Sequence, residues 1–548
     1  MGYFLLTIII VPLISAVQFI PSYYYNKLSY RAAPTYEYFA SWSFHPAETI
    51  IYLLPRFFGF VDSTYWGHNP FELRSTYFGI LPILLAFTAV FYLVKDKRVL
   101  CFTILAIVAL LFSFGGYTPI AKLLYHVPVI SKFRNSSRWL IYFTFPMVIL
   151  ASIGFDFLLN FADRKYKKEN FKQFNVFKII LIVLSACFLL IWIWLSLNNE
   201  MLTSKMQGWE LIRNRFGPQN SLYLVKMLSK MITGDLLRLT MFFASGTVFV
   251  LLAFYGKINK YILTGCLIVL FLIDMWFIGL KSVRTVPIIN TDIREQETIK
   301  FLEQDKSLYR VLPANGFSSE NWFVGAKIQS VKGYSISLKD YHELRSNGLL
   351  SSITFTNLLN VKYILTTQDM NYPMLKKVYD QNIKIYQNLA LMPRAALFNK
   401  IEVIKNKSEY LKRIMSPDFN IRDVLIINED FDEKLDLVPL NESEITITNY
   451  HPNYITLNVN SPGNSVLWMS EIYYPEWKAL VDGKEAKIYQ SNGLFRAVYL
   501  TKGYHHIKFY FSHKLLYIGF IVSLTTILSI LLFGFRYKIS NMLFLNKE

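Results

Sequence analysis

Residues 177–196 hold almost nothing but aliphatic and aromatic side chains, and seven further stretches share that texture, at about 3–20, 77–94, 99–116, 139–160, 237–255, 261–280 and 515–535. No other feature limits the fold as strongly. Each run is long enough to cross ~30 Å of hydrocarbon, where backbone groups must be satisfied within the segment, so each is expected to be a helix. Composition agrees: of 548 residues 53% are hydrophobic, 17% aromatic and only 17% charged, where a soluble domain carries about a quarter charged residues. The expectation is an integral membrane protein of about eight spans.

Lysine and arginine mark the inner side, because short basic loops stay in the cytoplasm. The connections KDKR (95–98), DRKYKKENFKQFNVFK (163–178) and GKINK (256–260) fall on one face with Arg536, Lys538 and Lys547 if the spans alternate. The other face then receives the loops 21–76, 117–138 and 197–236 and all of 281–513, which predicts an extracytoplasmic module. Lys122, Lys132, Arg134 and Arg138 oppose the rule by crowding an outer loop.

The net charge of +19 is unevenly shared. Residues 281–513 carry 28 basic against 25 acidic side chains, so the excess sits in the membrane part. A basic inner surface facing anionic lipid accounts for it without nucleic acid. Cys101, Cys187 and Cys266 all fall in expected spans, which leaves no disulfide framework. The start MGYFLLTIII has no basic n-region, so span 3–20 is read as retained rather than cleaved, and it lacks the Ser or Thr of a myristoylation signal.

Residues 281–437 alternate short apolar runs with helix-like pieces such as TDIREQETIKFLEQD, predicting an α/β region. From 438 to 513 the pattern becomes period-2 in ITITNY, YITLNVNS, SVLWMSEIYY, EAKIYQ, FRAVYL and HHIKFYF, divided by SPGN, VDGK, SNG and TKG. That spacing predicts an antiparallel β-sandwich, followed by the last span and a cytoplasmic tail over 514–548. Membrane domain 1–280 precedes both.

WSFHPAETIIYLLPRFFGF (42–60), YWG (65–67), KFRNSSRWL (132–140), LLNVKYIL (358–365), ALMPRAALF (390–398) and the stretch from YYPEWKALVDGKEAKIY to HHIKFYF, ending at Phe511, occur in that order. Together they resemble the bacterial YfhO family. The resemblance implies a multi-pass protein of the cell membrane similar to GT-C glycosyltransferases, which move sugar from a polyprenyl-phosphate carrier to an acceptor outside the membrane, and a link to lipoteichoic acid decoration. The family places several spans and an acidic motif before the region matching residue 1, so this chain corresponds to the family's C-terminal portion, and a separate chain supplying the N-terminal spans joins the expected partners.

Inverting transfer needs a carboxylate to deprotonate the acceptor and a cation to stabilise the departing phosphate. The loop 21–76 offers Glu37, Glu48, Asp62 and Glu72 with His45, His68, Arg56 and Arg74. Solvated loop charge would explain any one of them; Glu48 and Asp62 are the catalytic candidates because they flank the family-like segments. Trp42, Tyr65 and Trp66, among neighbours such as Tyr36 and Tyr38, read either as an interfacial belt or, with His68, as a surface for substrate. Arg134 and Arg138, four apart, would share a face if the fourth span began early, and guanidinium forks suit a carrier phosphate as well as generic headgroups. Asp274, deep in LIVLFLIDMWFIGL, is an intramembrane acid and so a functional candidate, with a structural hydrogen bond as the alternative. Asp156 lies near basic residues that would pair it.

No cofactor is specified, and a divalent metal is the one option left open. His505 and His506 are adjacent in a strand and should face opposite ways. Asp482 is assigned a turn role in VDGK, with Gly483 at positive φ, and Tyr474, Pro475 and Trp477 are placed at a turn on the sandwich edge. The function expected is a GT-C-like membrane glycosyltransferase, or part of one, acting on an envelope polymer or lipid. The alternatives are a non-catalytic glycan- or carrier-binding subunit and a lipid-carrier translocase, although a translocase should show repeated halves, and none is evident.

Overall fold

The computed structural model describes residues 2–60, 64–68, 77–127, 130–163, 165, 173–282, 293–314, 321–333 and 336–545. The chain divides into two compact units, one of Pro34–Pro287 and one of Met1–Ala33 with Ile288–Glu548.

The helical unit, Pro34–Pro287, contains four of the five described helices that are long and apolar enough to span a membrane: Ser136–Ala162, Phe174–Leu197, Leu222–Phe254 and Lys260–Leu280. The fifth, Lys514–Gly534, belongs to the other unit. The remaining three apolar stretches are helical but shorter. Ile80–Leu93 has 14 residues and Lys97–Ser113 has 17, and at ~1.5 Å per residue neither reaches ~30 Å. The stretch 3–20 is divided between Gly2–Ile14 and Ala16–Leu28.

Small residues set the closest approaches in this unit. A Cβ on Gly154 would lie 2.0 Å from the Leu85 carbonyl oxygen, and one on Gly246 would lie 2.7 Å from a Leu81 methyl. Glycine therefore lets Trp139–Ala162 touch the backbone of Ile80–Leu93, as small residues do between membrane helices. Leu81, Leu84, Leu150, Leu158, Phe161, Phe177 and Phe254 fill the core around that contact.

In the other unit, the break at Ser15 is bridged from the last span. Ser523 Oγ accepts from the Val17 N–H at 3.0 Å, and Gly519 brings its backbone against Ala16, where a Cβ would meet the carbonyl oxygen at 2.5 Å. Sixteen described strands follow Ile288. Strands β1 (Arg310–Pro313), β2 (Gln329–Ser330), β3 (Val361–Thr366), β4 (Leu375–Asp380) and β5 (Lys384–Asn388) form a mixed sheet in the order β2-β1-β3-β5-β4, parallel across β2, β1 and β3.

The second sheet takes the order β13-β12-β16-β10-β9 from β9 (Glu444–His451), β10 (Tyr454–Ser461), β12 (Trp477–Val481), β13 (Lys484–Ala486) and β16 (Gly503–Phe511). The third runs β6-β11-β15-β14-β8-β7, adding β6 (Ala395–Phe398), β7 (Ile401–Val403), β8 (Leu425–Ile427), β11 (Ser465–Ile472), β14 (Ile488–Ser491) and β15 (Phe495–Leu500). The expected sandwich thus recruits strands from 395–427, and one of its pairs, β7 with β8, is parallel.

Leu457, Val459, Leu467, Met469, Val498, Ile507 and Phe509 pack between the second and third sheets. On the far face of the third sheet, Val466, Trp468, Phe495 and Ala497 join Phe355, Leu358 and Leu425. Strand β11 is consequently buried on both faces from Ser465 to Ser470, which corrects the period-2 reading of this stretch: its VLWM is a continuous apolar run of the kind that two-sided burial requires.

Two hairpins turn as their sequences require. Asp482 and Gly483 have φ of 52° and 80°, and Asn492 and Gly493 have 44° and 73°, the paired positive angles of a type I′ turn.

Candidate functional site

Two sequence-marked segments of the helical unit, WSF and RNSSR, are tied into one knot with Gly115 and Gly116. Trp42 sits at φ 63°, Asn135 at 74° and Gly115 at 47°. The Trp42 carbonyl accepts from the Ser137 N–H at 3.3 Å, and the Ser41 carbonyl accepts from the Asn135 N–H at 3.2 Å. Ser43 Oγ accepts from the Gly116 N–H at 2.8 Å and from Ser136 Oγ at 3.1 Å. A Cβ on Gly115 would fall 2.0 Å from Ser136 Oγ. WSF, GG and RNSSR are therefore interdependent motifs, since each supplies backbone or hydroxyl groups to the others.

The knot places Arg134 and Arg138 differently from a single helix face. Left-handed Asn135 interrupts the backbone, and the span begins at Ser136, so Arg134 lies outside it. Its guanidinium rests 5.2 Å from the Tyr38 ring centroid, while Arg138 is exposed at the start of the span.

Beside the knot, Glu48 is fully buried in the turn Pro46–Tyr52. Its Oε1 accepts from the His68 N–H at 2.6 Å, and the Tyr65 hydroxyl faces it across Gly67, where a Cβ would lie 2.4 Å from Tyr65 Oη and 2.7 Å from Glu48 Oε1. Only glycine fits between them, which explains the YWG motif. Burial, and secondly the Glu48 charge, push Tyr65 well above the ordinary phenol range. Tyr117 is raised by the same two causes.

His45 caps the turn, its Nδ1 accepting from the Ala47 N–H at 3.2 Å, and stacks on His68 with centroids 4.0 Å apart. Burial, then the neighbouring His45, lowers the pKa of His68. The result is a buried carboxylate beside two stacked imidazoles. Tyr65 and Trp66 are core members here, 4% and 5% exposed, and Trp66 Nε1 donates to the Phe57 carbonyl at 3.2 Å.

Deeper in the unit, Asp274 accepts from Tyr77 Oη at 2.6 Å, the Ile80 N–H at 2.9 Å and Arg238 Nη1 at 2.5 Å. Arg238 Nη2 donates to the Leu53 carbonyl at 2.7 Å. Asp235 receives Arg56 through its backbone N–H and Nε, both at 2.7 Å. Two acids and two arginines thus tie the 53–56 backbone to the helices, with Asp274 held by three hydrogen bonds. Asp235 and Arg238 do not stand out from sequence because the apolar run begins at 237, between them, although an acid and a base three apart at the edge of a span are a visible signal.

Asp62, Glu72 and Arg74 lie outside the described residues. Glu37 and Asp156 are exposed. In the other unit His505 points inward and His506 outward. Asp482 has a larger role than its turn: Oδ2 pairs with His505 Nδ1 at 2.7 Å and Oδ1 accepts from the His506 N–H at 2.8 Å. The hairpin therefore does hold an acid beside an imidazole. Tyr474 accepts from the Trp477 N–H at 3.0 Å across the Pro475 turn. Among the described residues no three His, Cys, Asp or Glu side chains gather as metal ligands.

No curated protein and no solved structure matches the chain. Over residues 428–523, which hold strands β9–β16 and the first turns of the last span, the chain matches the family model of the bacterial membrane protein YfhO.

Proposed function

We propose that this membrane protein handles a polyprenyl-phosphate-linked sugar on the outer side of the bacterial cell membrane, as a GT-C-like glycosyltransferase or the part of one that holds carrier and acceptor. The observation that carries the reading is the convergence, within the helical unit, of a buried carboxylate with two imidazoles beside the knotted loop that presents Arg134 and Arg138. Acid and base serve the acceptor hydroxyl, and guanidinium groups serve the departing phosphate. Orientation by the basic loops puts this end, and residues 281–513, outside, where an envelope glycan or lipid such as lipoteichoic acid is the acceptor.

The complete burial of Glu48 favours a second reading, a non-catalytic carrier-binding subunit whose partner chain supplies the base. Reconstitution with a polyprenyl-phosphate sugar and a glycolipid acceptor separates the two. The enzyme reading expects transfer that Glu48→Gln lowers by about 100-fold without loss of fold. Carrier binding with no transfer supports the subunit, and absence of carrier binding contradicts both.

A further inference from the structure

A cavity of roughly 830 Å³ opens in the unit that carries the sheets. Arg310, Lys332, Arg345 and Arg496 contribute positive charge to its lining, and Glu471 is the one carboxylate among the described lining residues. Arg394 lies directly behind them, since both it and Arg310 donate to Glu471 Oε1, at 2.9 Å and 3.1 Å. Tyr450 Oη donates to the same oxygen at 2.8 Å. A single acid therefore serves a cluster of three arginines, of which Arg394 and Arg496 are buried and Arg310 is partly exposed.

Two of the three are satisfied. Arg310 Nη1 also donates to the Leu359 carbonyl and Ser470 Oγ, each at 3.0 Å. Arg394 Nη2 also donates to Tyr450 Oη at 2.6 Å. Arg496 differs. It is 3% exposed, gives Nε to the Ile472 carbonyl at 3.0 Å, and lays its guanidinium 3.8 Å from the Trp477 ring centroid, but its Nη1 has no hydrogen-bond partner among the described residues. Burial holds Arg496 down at about 10 and also lowers Arg310. Burial disfavours the Glu471 charge, yet the guanidiniums of Arg310, Arg394 and Arg496 together keep its pKa below the ordinary value.

A buried donor left without a partner costs about 1–3 kcal/mol, and three guanidiniums that share one carboxylate carry an excess of positive charge, so Arg496 beside a cavity marks a site awaiting an anion. The walls restrict what carries that anion. Tyr25, Tyr474, Trp477 and Phe511 line the same space, and aromatic faces suit the C–H surface of a sugar ring. The volume far exceeds that of a bare oxyanion. Strand β16 ends at Phe511 and the last span begins at Lys514, which brings the cavity wall to within three residues of a membrane helix.

We propose that this cavity binds a sugar phosphate, soluble or carried on a lipid, with Arg496 Nη1 donating to the phosphoryl oxygens and the aromatic wall holding the sugar. The site lies outside the Glu48 and Arg134 region and does not depend on that reading.

The test uses the full chain in phosphatidylcholine nanodiscs with glucose 1-phosphate, inorganic phosphate and glucose as probes, read by calorimetry. Glucose 1-phosphate should bind at least about 30-fold more tightly than glucose, and Arg496→Gln should lose about 30-fold in affinity for it, the cost of a buried charged hydrogen bond. Hydrogen exchange in the wild-type protein should show protection by glucose 1-phosphate at 471–477 and 494–498, a readout that holds even if the variant fails to fold. Repeating the titration in phosphatidylglycerol nanodiscs distinguishes the sources: undiminished binding supports a soluble ligand, and suppressed binding supports a lipid-borne phosphate in the same site. Failure of wild-type protein to bind glucose 1-phosphate, equal binding by folded Arg496→Gln, or protection confined to other segments would overturn the proposal.

Discussion

The helical unit and the sheet-bearing unit each bury a cluster of arginine and acid, and the two clusters differ in their balance. Asp235 and Asp274 face Arg56 and Arg238, with the Tyr77 hydroxyl and the Leu53 carbonyl taking further bonds. Glu471 faces Arg310, Arg394 and Arg496 alone. A network with matched charges, two acids to two arginines, fixes one arrangement of loop and helices. Each cluster keeps one buried N–H without a hydrogen-bond partner among the described residues, Nε of Arg238 and Nη1 of Arg496, so the difference lies in charge: in the second, three guanidiniums share one acid, an excess that an anionic ligand would offset. Counting charges against partners separates structural from ligand-seeking arginines more sharply than burial does, because Arg238 and Arg496 are equally buried at 3%.

The largest effect should come from opening the balanced network. Arg238→Met leaves Asp274 and Asp235 short of a counter-charge in the interior, which costs about 3–5 kcal/mol, and thermal unfolding in detergent should show a correspondingly early transition. Glu471→Gln should cost about 2–3 kcal/mol by leaving three guanidiniums without an anion. Added phosphate should recover more of that loss than it adds to the wild-type melting temperature; equal gains in both proteins would break the comparison.

Gly483→Val serves as a backbone control. Its φ of 80° disfavours a branched side chain while nothing lies within 4 Å of the new Cβ, so the cost should be about 1–2 kcal/mol, with phosphate adding no more than it adds to the wild type.

Asp482→Asn should change least at neutral pH, by under about 1 kcal/mol for a half-exposed pair. The hydrogen bond from His505, then the His506 N–H, lowers the Asp482 pKa below its ordinary 3.8. A depressed folded pKa gives stability that is present above the unfolded value and lost as pH falls through the folded one. The wild-type protein should thus lose its small advantage over the Asn variant on acidification below about pH 4, a difference visible in paired urea titrations.

Much of this was legible along the chain. Apolar runs specified a membrane protein, and Asp482-Gly483 and Asn492-Gly493 announced their turns because few residues accept two positive φ angles in succession. Span number was less legible, since hydropathy reports apolar length and not where a helix stops. Ser15 interrupts one run, and Leu93 ends a helix of 14 residues. The apolar run VLWM signals the two-sided burial of β11, but what covers its second face was hidden, because it comes from residues around 355 and 425, far off in sequence.

Glu48, Tyr65 and His68 could be named together as loop residues, but the carboxylate's burial depends on Gly67 admitting Tyr65, a packing fact with no periodic signal. The arginine cluster is the least legible of all, joining positions 310, 394, 471 and 496. One local clue existed: Arg496 stands inside FRAVYL, a strand otherwise apolar on both faces, where a charge demands an explanation.

The central claim is that Arg238 is structural and Arg496 is held for a ligand. The most direct measurement compares the melting temperatures of Arg238→Met and Arg496→Met in the same phosphate-free detergent. Arg238→Met should fall by several kcal/mol equivalent, whereas Arg496→Met, losing the bond to the Ile472 carbonyl and one aromatic stack while Glu471 keeps Arg310 and Arg394, should lose at most about 1.5 kcal/mol. An equal and large loss in both variants would contradict the account, because it would make the two arginines the same kind of residue.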